Sequence, residues 1–344
     1  MKIAICSSFI PFINGGARNI VDWLKCILEE YGHRVEVIYL PQADSPELLF
    51  QQMFAYRWID VDSADLLICL RPQAHLIPHE NKKLWFIHHI RAFYDLWDSP
   101  YRGFPDDFNH KGIRDALISI DTKALNESKK IFTNSKIVSN RLKEYNKINS
   151  EVLYPPLINP ERFFCKSFNN EIVNVCRMEH HKRQHLLIEA MKYTISPIKL
   201  RLCGVSSNQQ YYNDLLGIVK TNNLEDKVIL ENRWISDLEK VELLSTCFAA
   251  AYLPLDEDSY GYPSLEAAHS IKPVLTTSDS GGVLELIEDG ISGYVTEPDP
   301  KALGEKINEL FINKNKTMRM GENALNKITS LNISWDHVVN RLLT

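Results

Sequence analysis

The sequence predicts an α/β protein made of two domains, each built around a doubly wound parallel sheet. Its 344 residues are too many for one ordinary core and fit two domains of roughly 150 residues each. Short apolar runs alternate with amphipathic helical windows along nearly the whole chain, which is typical of βα units. A proline-rich break, YPPLINPERFFCKSFNN at 154–170, lies near the middle. We therefore expect domains at 1–160 and 161–330, followed by a closing segment at 331–344.

The apolar runs define the expected strands in order. The first half offers six: KIAICSS (2–8), RVEVIYL (34–40), DLLICL (65–70), LWFIH (84–88), KIFT (130–133) and EVLY (151–154). The second half offers five: EIVNVC (171–176), IKLRLC (198–203), KVIL (227–230), FAAAYL (248–253) and PVLTT (273–277). The last window, SWDHVVNRLLT (334–344), has apolar residues at helical spacing and Ser334 as its N-cap.

Composition narrows the class of protein. The net charge of −5 argues against a nucleic-acid partner, since such proteins usually carry a basic face. The seven cysteines include no CxxC pair, which favours free thiols in a reducing compartment. The start MKIAICSSFIPFI lacks a signal-peptide cleavage site, and no run reaches the ~18 apolar residues that span a bilayer. The sequence therefore predicts a cytoplasmic protein.

The loops after the expected strands carry the candidate site residues, because doubly wound sheets bind ligands beyond the carboxyl ends of their strands. NGGARN (14–19) follows the first strand and opens a helix, so Gly15 and Gly16 can bring backbone amides close to an anion. The motif is not GxGxxG, which weakens the case for a nicotinamide dehydrogenase.

A second candidate loop, CRMEHHK (176–182), contains two cations. Arg177 and Lys182 could converge on a diphosphate from the loop and from a helix that begins near Lys182. Two solvated surface cations are the alternative interpretation.

The third candidate is DSYGYPSLEAA (258–268), which places two acids around a turn that precedes a helix. Backbone amides at the helix start suit phosphate, and Pro263 fits the first turn. Glu266, one turn into the helix, can accept hydrogen bonds from two vicinal hydroxyls. A loop acid and an ordinary helix acid remain the alternative. Downstream, TTSDSGGVLELIEDGISGY (276–294) offers a similar turn, in which Gly281 and Gly282 are predicted to open a helix.

The histidines are poor candidates for a metal site. His88-His89 and His180-His181 are adjacent pairs, and HLIPH (75–79) is interrupted by Pro78. We therefore expect no metal. His88, at the end of the run LWFIH, is expected to contact a ligand.

Together these motifs resemble the retaining glycosyltransferases of family 4, also called group 1, which have the GT-B fold. The family hallmark is an acid, seven residues and a Glu; Asp258 and Glu266 match it, although the family usually has Glu in the first place. FIHHIRAFYDL (86–96) is similar to a segment of bacterial O-antigen mannosyltransferases in that family, with His88, Arg91 and Asp95 matched. The resemblance covers most of the chain and also includes FTNS (132–135), VLYPPLINPERF (152–163), LCG (202–204) and SGGVLE (280–285).

The resemblance implies two Rossmann-like domains across a cleft, the first binding the acceptor and the second the donor, with a C-terminal helix that returns to the first. Arg177 and Lys182 would neutralise the donor diphosphate, Glu266 would hold the ribose and Asp258 the donor sugar. His88 would contact the sugar or the leaving group. Transfer would retain the anomeric configuration and need no cofactor. The other donor-binding positions would be Gly15, Gly16, Gly204, Tyr260, Gly261, Tyr262, Ser264, Gly282 and Glu285.

The implied function is transfer of a hexose from a GDP- or UDP-linked sugar to a saccharide or lipid-linked saccharide in the synthesis of a cell-surface polysaccharide. GDP-mannose is favoured by the segment at 86–96. A nucleotide-sugar epimerase and a non-catalytic nucleotide-sugar binding protein are the alternatives. Residues 111–147 carry nine Lys or Arg against four Asp or Glu, which predicts peripheral contact with the inner face of the plasma membrane; a solvated helix face is the other interpretation.

Overall fold

The computed structural model describes residues 1–12, 15–42 and 45–344. Their contacts divide the chain into two compact units: Met1–Pro156 together with Ile333–Thr344, and Leu157–Asn332. Each unit has a six-stranded sheet in which every strand pair is parallel. The prediction of an α/β protein with two parallel sheets is confirmed.

The first unit has the strand order β2-β1-β3-β4-β5-β6. Its core strand β3 is buried at every position, as expected for a parallel strand covered on both faces. Its elements are β1 (Lys2–Phe9), α1 (Gly16–Glu30), β2 (Arg34–Pro41), α2 (Leu49–Arg57), β3 (Leu66–Cys69), β4 (Lys82–Phe86), α3 (Phe108–Asn126), β5 (Lys130–Thr133), α4 (Lys136–Arg141) and β6 (Glu151–Val152).

The second unit has the strand order β12-β11-β10-β7-β8-β9. Strand β12 was not predicted, because GYVT has only two apolar residues. Its backbone is in a strand because it pairs with β11. The elements are β7 (Glu171–Val175), α5 (Gln184–Ala190), β8 (Lys199–Cys203), α6 (Gln209–Thr221), β9 (Val228–Glu231), α7 (Asp237–Thr246), β10 (Ala249–Ala251), α8 (Tyr262–His269), β11 (Val274–Thr277), β12 (Gly293–Thr296), α9 (Pro300–Ile312) and α10 (Lys314–Ser330).

The C-terminal helix α11 (Trp335–Leu343) packs on the first unit, although it follows the second in the chain. Trp335 contacts the buried Trp85 of β4 edge to face, with ring centroids 6.2 Å apart. The buried Lys83 ammonium donates to the Leu342 carbonyl at 2.9 Å, where a cation satisfies the helix C-terminus. The predicted N-cap is confirmed, because Ser334 Oγ accepts from the His337 amide at 3.2 Å.

Candidate functional site

The strand order of the second unit reverses direction between β7 and β10. From β7 the chain moves to β8 and β9 on one side, and from β10 to β11 and β12 on the other. The loops that leave β7 and β10 therefore separate at the carboxyl edge, where doubly wound sheets bind their ligands. These two loops contain Arg177, Lys182 and Asp258, so the reversal brings residues more than seventy positions apart onto one edge.

Lys182 is the cation that the structure places at this edge. It ends a 3₁₀ turn, His180–Lys182, and its side chain is buried. The ammonium donates to Tyr252 Oη at 2.8 Å and forms a close ion pair with Glu257. Tyr252 Oη in turn donates to the same carboxylate at 2.9 Å. The three side chains form a closed triangle between the two loops.

Glu257 was not predicted as a site residue. Burial acts to raise the pKa of its carboxyl, but the Lys182 charge and the hydrogen bonds from Lys182 and Tyr252 outweigh burial and lower the pKa overall. The carboxylate is therefore the charged form beside Lys182. The spacing to Glu266 identifies Asp258 and not Glu257 as the first acid of the pair. The only signal for Glu257 in the sequence is its position next to Asp258.

Arg177 lies in the same loop as Lys182 but is in a different environment. Its side chain is half exposed, and its guanidinium pairs with Glu179 at 2.5 Å. In the described contacts, Arg177 pairs with Glu179 and Lys182 pairs with Glu257. These contacts do not bring the two cations to a common partner. The helix that was predicted to begin near Lys182 begins two residues later, at Gln184, after the 3₁₀ turn.

Arg183, which sequence reasoning missed, ties together the loops after β10 and β11. Its backbone is left-handed, with φ 55°. The buried guanidinium donates to the carbonyls of Leu253 at 2.8 Å and Pro254 at 3.0 Å. It also forms two hydrogen bonds with the Asp279 carboxylate, at 2.7 and 2.8 Å. Nothing in the local sequence distinguishes this structural arginine from its neighbour Lys182.

The turn before α8 is shaped by Gly261. Its φ of 66° lies in the region that favours glycine, and a Cβ there would lie 2.4 Å from the Tyr252 ring. The first turn of α8 contains Pro263, as expected. Ser264 Oγ is buried and has no hydrogen-bond partner within the described ranges. Tyr260 is buried and Tyr262 is partly buried in the same turn.

Glu266 lies on α8 and is buried, with its carboxylate 2.5 Å from the Lys240 ammonium of α7. Burial raises the pKa of Glu266, and Lys240 opposes this effect in part. Lys240 is a further residue that the sequence did not reveal, because it comes from a helix 26 residues away. Asp258 is partly buried in the loop that holds Glu257.

The glycines after β11 and β8 have packing roles. A Cβ at Gly282 would lie 2.6 Å from Ser259 Cα, and one at Gly281 would lie 2.5 Å from the Glu257 carbonyl oxygen. A Cβ at Gly204 would lie 2.0 Å from the Cys176 carbonyl oxygen. These glycines let the loops of the site lie against one another.

The helix predicted after Gly281 and Gly282 is wrong. Residues Gly282–Glu285 form a single 3₁₀ turn, in which Glu285 is the last residue. The chain has too few residues for a helix here, because Gly290 turns it towards β12 at Gly293.

In the first unit the predicted glycine turn does begin a helix. Gly15 is the N-cap and Gly16 the first residue of α1. Among the described residues, a Cβ at Gly15 would meet nothing within 4 Å. Asn14 of the motif lies outside the described residues.

His88 does not close a strand, which corrects the predicted run 84–88: β4 ends at Phe86. The half-buried ring has Nδ1 2.6 Å from the His89 carbonyl oxygen. Since a carbonyl only accepts, Nδ1 carries the proton and Nε2 of the neutral ring is an acceptor. Burial, with a smaller effect of Arg71, lowers the His88 pKa to about 3, which keeps the ring neutral at physiological pH.

The residues that flank His88 are held in polar contacts. His89 is buried, with Nε2 2.9 Å from Asn146 Oδ1. Arg91 donates to Asp95 at 2.8 Å, and Arg141 lies 3.2 Å from the same carboxylate. Arg91 and Asp95, matched in the resemblance, are therefore an ion pair.

The described residues contain no group of three or more His, Cys, Asp or Glu side chains that could hold a metal ion. None of their helices is long and apolar enough to cross a membrane.

The sequence is similar to those of glycosyltransferases. Residues 161–327 match the family model for glycosyl transferases group 1. Alpha-1,3/1,6-mannosyltransferase ALG2 of Homo sapiens is 30% identical over 193 residues, covering 49% of this chain and 45% of that protein. O-antigen chain mannosyltransferase C of Escherichia coli is 24% identical over 177 residues, covering 50% and 44%. The chain thus spans less than half the length of these two relatives.

Structural comparisons cover nearly the whole chain. Sucrose-phosphate synthase of Thermosynechococcus elongatus has a TM-score of 0.76 at 16% identity, over 98% of this chain and 97% of that one. HepE of Anabaena in complex with UDP has a TM-score of 0.72 at 17% identity, over 100% and 98%. With the two parallel sheets and the returning helix, these matches confirm the expected GT-B fold.

Proposed function

The chain carries a group 1 glycosyl transferase domain at residues 161–327, and on that premise we propose that it is a retaining glycosyltransferase. It moves a hexose, with mannose favoured, from a nucleoside diphosphate sugar to a saccharide or lipid-linked saccharide. In the reaction the bond between the sugar C1 and the phosphate oxygen breaks, and the diphosphate leaves with the electron pair. The acceptor hydroxyl oxygen forms the new bond to C1, and its proton passes to the departing diphosphate.

One observation carries the proposal: a buried lysine is held at the strand-order reversal, beside the loop that contains the acid-seven-Glu pair. A fixed cation at this position stabilises the negative charge that develops on the leaving diphosphate. Arg177, half exposed in the same loop, supplies a second and more adjustable cation. The packed loops around Gly261 and Gly281 hold Tyr252 and Glu257, the two partners of Lys182, next to the turn that precedes α8, where backbone amides favour an anion.

The other donor contacts are proposed because the family resemblance implies them. Glu266, reached by Lys240, binds the ribose hydroxyls, and Asp258 with the Gly261 turn binds the sugar. Gly15 and Gly16 at the start of α1 contribute amides for the diphosphate. The neutral His88 accepts a hydrogen bond through Nε2 from a sugar hydroxyl.

The donor base and sugar are supported from two directions. Two relatives are named as mannosyltransferases, which favours mannose and is consistent with a GDP-linked donor. HepE, a structural neighbour, was solved with UDP, which keeps a UDP-linked donor as the alternative. No observation favours an epimerase or a non-catalytic binding protein.

A thermal-shift panel of GDP, UDP, ADP, dTDP and NAD tests the donor site. A ligand at about 100 times its Kd stabilises the fold by ~2.7 kcal/mol, roughly 5–10 °C for a domain of this size. We expect one nucleoside diphosphate to produce this shift and Arg177→Ala to weaken it. Because the Arg177 side chain is half exposed, the substitution itself should change stability by less than about 1 kcal/mol.

Arg319→Ala is the matched control, since Arg319 is an exposed arginine of α10 in the same unit. It should leave the shift unchanged. A panel in which no diphosphate shifts the transition, or NAD alone does, would contradict the proposed function.

Peripheral membrane contact is the second part of the proposal. Between α2 and α3 of the first unit lies a largely apolar groove of about 270 Å³, with Phe54 and Ile120 in its lining and Lys123 beside them. Phe54 is 66% exposed and the adjacent Trp58 is 82% exposed. Exposed aromatic rings beside lysines suit the headgroup region of an anionic bilayer. Arg141, in contrast, is buried against Asp95 and does not contribute to the basic surface at 111–147.

Co-sedimentation with phosphatidylcholine vesicles, with and without phosphatidylserine, tests this contact. We expect binding that requires the anionic lipid and that falls several-fold in Phe54→Ser/Trp58→Ser, since each exposed ring loses apolar burial. Leu238→Ser is the control, because Leu238 is 85% exposed but lies on the second unit. Binding that does not depend on phosphatidylserine would rule the contact out.

A further inference from the structure

We propose that Glu257 is a positioning residue that acts as an internal counter-ion: it holds Lys182 in place and competes with the donor diphosphate for the lysine ammonium. The proposal rests on the proposed function, because it concerns the same diphosphate site. It assigns a role to an acid that lies outside the acid-seven-Glu pair.

The first support is the geometry of the triangle. Lys182, on the loop after β7, would have many rotamers if its ammonium had no partner, and ordering a lysine side chain costs up to ~2 kcal/mol of entropy. Glu257 and Tyr252 fix the ammonium from the loop after β10 before any ligand arrives. Tyr252 bonds to both partners, so it sets the angle between them.

The second support is the balance of charge. A buried ammonium without a compensating charge is expensive and tends to lose its proton. The Glu257 carboxylate, itself charged and partly buried, provides that compensation. An incoming diphosphate carries the same sign as the carboxylate and needs the same donor, so the two anions compete for it.

The third support is the repetition of the pattern in the neighbouring cation. Arg177 is paired with Glu179, which is also near His181 at 3.4 Å. Both cations proposed for the diphosphate thus have a carboxylate partner in this structure. Arg177 is half exposed, so its pair is weak. Lys182 is buried, so its pair controls binding more strongly.

The competition has a clear consequence for turnover. A counter-ion weakens the binding of the diphosphate group of both the donor and the product. The nucleoside diphosphate product therefore dissociates faster, because the ion pair between Glu257 and Lys182 re-forms as the product leaves. Product release limits kcat in many enzymes. Loss of the Glu257 charge should therefore lower both the KM for donor and kcat, whereas a merely structural defect would raise KM.

The deciding experiment compares Glu257→Gln with wild type, using inorganic pyrophosphate and the nucleoside diphosphate found in the thermal-shift panel. Glutamine keeps the shape and removes the charge. We expect the dissociation constants of both ligands to fall roughly tenfold, because a like charge within a few ångströms of the ligand is removed. We also expect kcat and the KM for donor to fall together.

Glu179→Gln is the matched control, since it removes the acid of the other pair, whose partner Arg177 is half exposed, and we expect less than about a threefold change. If Glu257→Gln does not fold, Glu257→Asp keeps the charge but shortens its reach, and should show the same tightening to a smaller degree. Unchanged or weaker pyrophosphate binding in a folded variant would overturn the counter-ion role. Failure of wild type to bind any nucleoside diphosphate would instead overturn the proposed function, so the two failures are distinguishable.

Discussion

Lys182→Ala is expected to lower kcat/KM for sugar transfer by about 100- to 1000-fold, which is the usual loss when one preorganised group that stabilises developing negative charge is removed. The ammonium is fixed by Tyr252 and Glu257 at the carboxyl edge of the sheet, so the charge is in place before the reaction begins. Steady-state kinetics with the donor identified by thermal shift measures the loss. Lys192→Ala, which changes an exposed lysine of the same unit, should retain wild-type kinetics.

Stability must be separated from catalysis in this experiment, because Lys182→Ala leaves the Glu257 carboxylate without its partner. Removing one partner of a buried ion pair lowers the free energy of unfolding by about 3–5 kcal/mol, whereas replacing both charged residues often leaves it unchanged. Lys182→Met/Glu257→Gln should therefore unfold at nearly the wild-type temperature and remain inactive. A double variant that regains activity with its stability would show that Lys182 serves the fold and not the reaction.

Gly261→Ala is expected to destabilise the second unit by roughly 3 kcal/mol and to abolish diphosphate binding. The residue has φ 66°, and its new Cβ would be 2.4 Å from the ring of Tyr252, which is buried and cannot move away freely. The clash would push Tyr252 off Lys182 or shift the start of α8. Denaturant unfolding measures the first effect, and pyrophosphate binding measures the second.

Gly217→Ala provides the opposite result as a control. Gly217 lies inside α6, and a Cβ there would meet no described atom within 4 Å. Alanine should stabilise the helix by about 0.5–1 kcal/mol and leave binding unchanged. If Gly261→Ala were as harmless as Gly217→Ala, the turn before α8 would not depend on glycine and its role at the site would be lost.

Local patterns in the sequence were sufficient to predict most of the fold. The run DLLICL predicts β3 because a strand covered on both faces has few places for polar residues. Ser334 and the apolar spacing after it predict α11, since capping and helical periodicity are properties of adjacent residues. Strand β12 and the 3₁₀ turn Gly282–Glu285 escaped prediction because partners distant in sequence define them.

For the candidate site too, some features could be predicted from the sequence and others depend on the tertiary structure. The sequence by itself determined that Arg177, Lys182, Asp258 and Glu266 would follow strands of one parallel sheet, because periodicity and turn residues locate the strand ends. Only the tertiary structure decided which carboxylate meets which cation. The contacts of Lys182 with Glu257 and of Glu266 with Lys240 join elements 75 and 26 residues apart. They depend on strand order and loop packing, which no local stretch of sequence encodes.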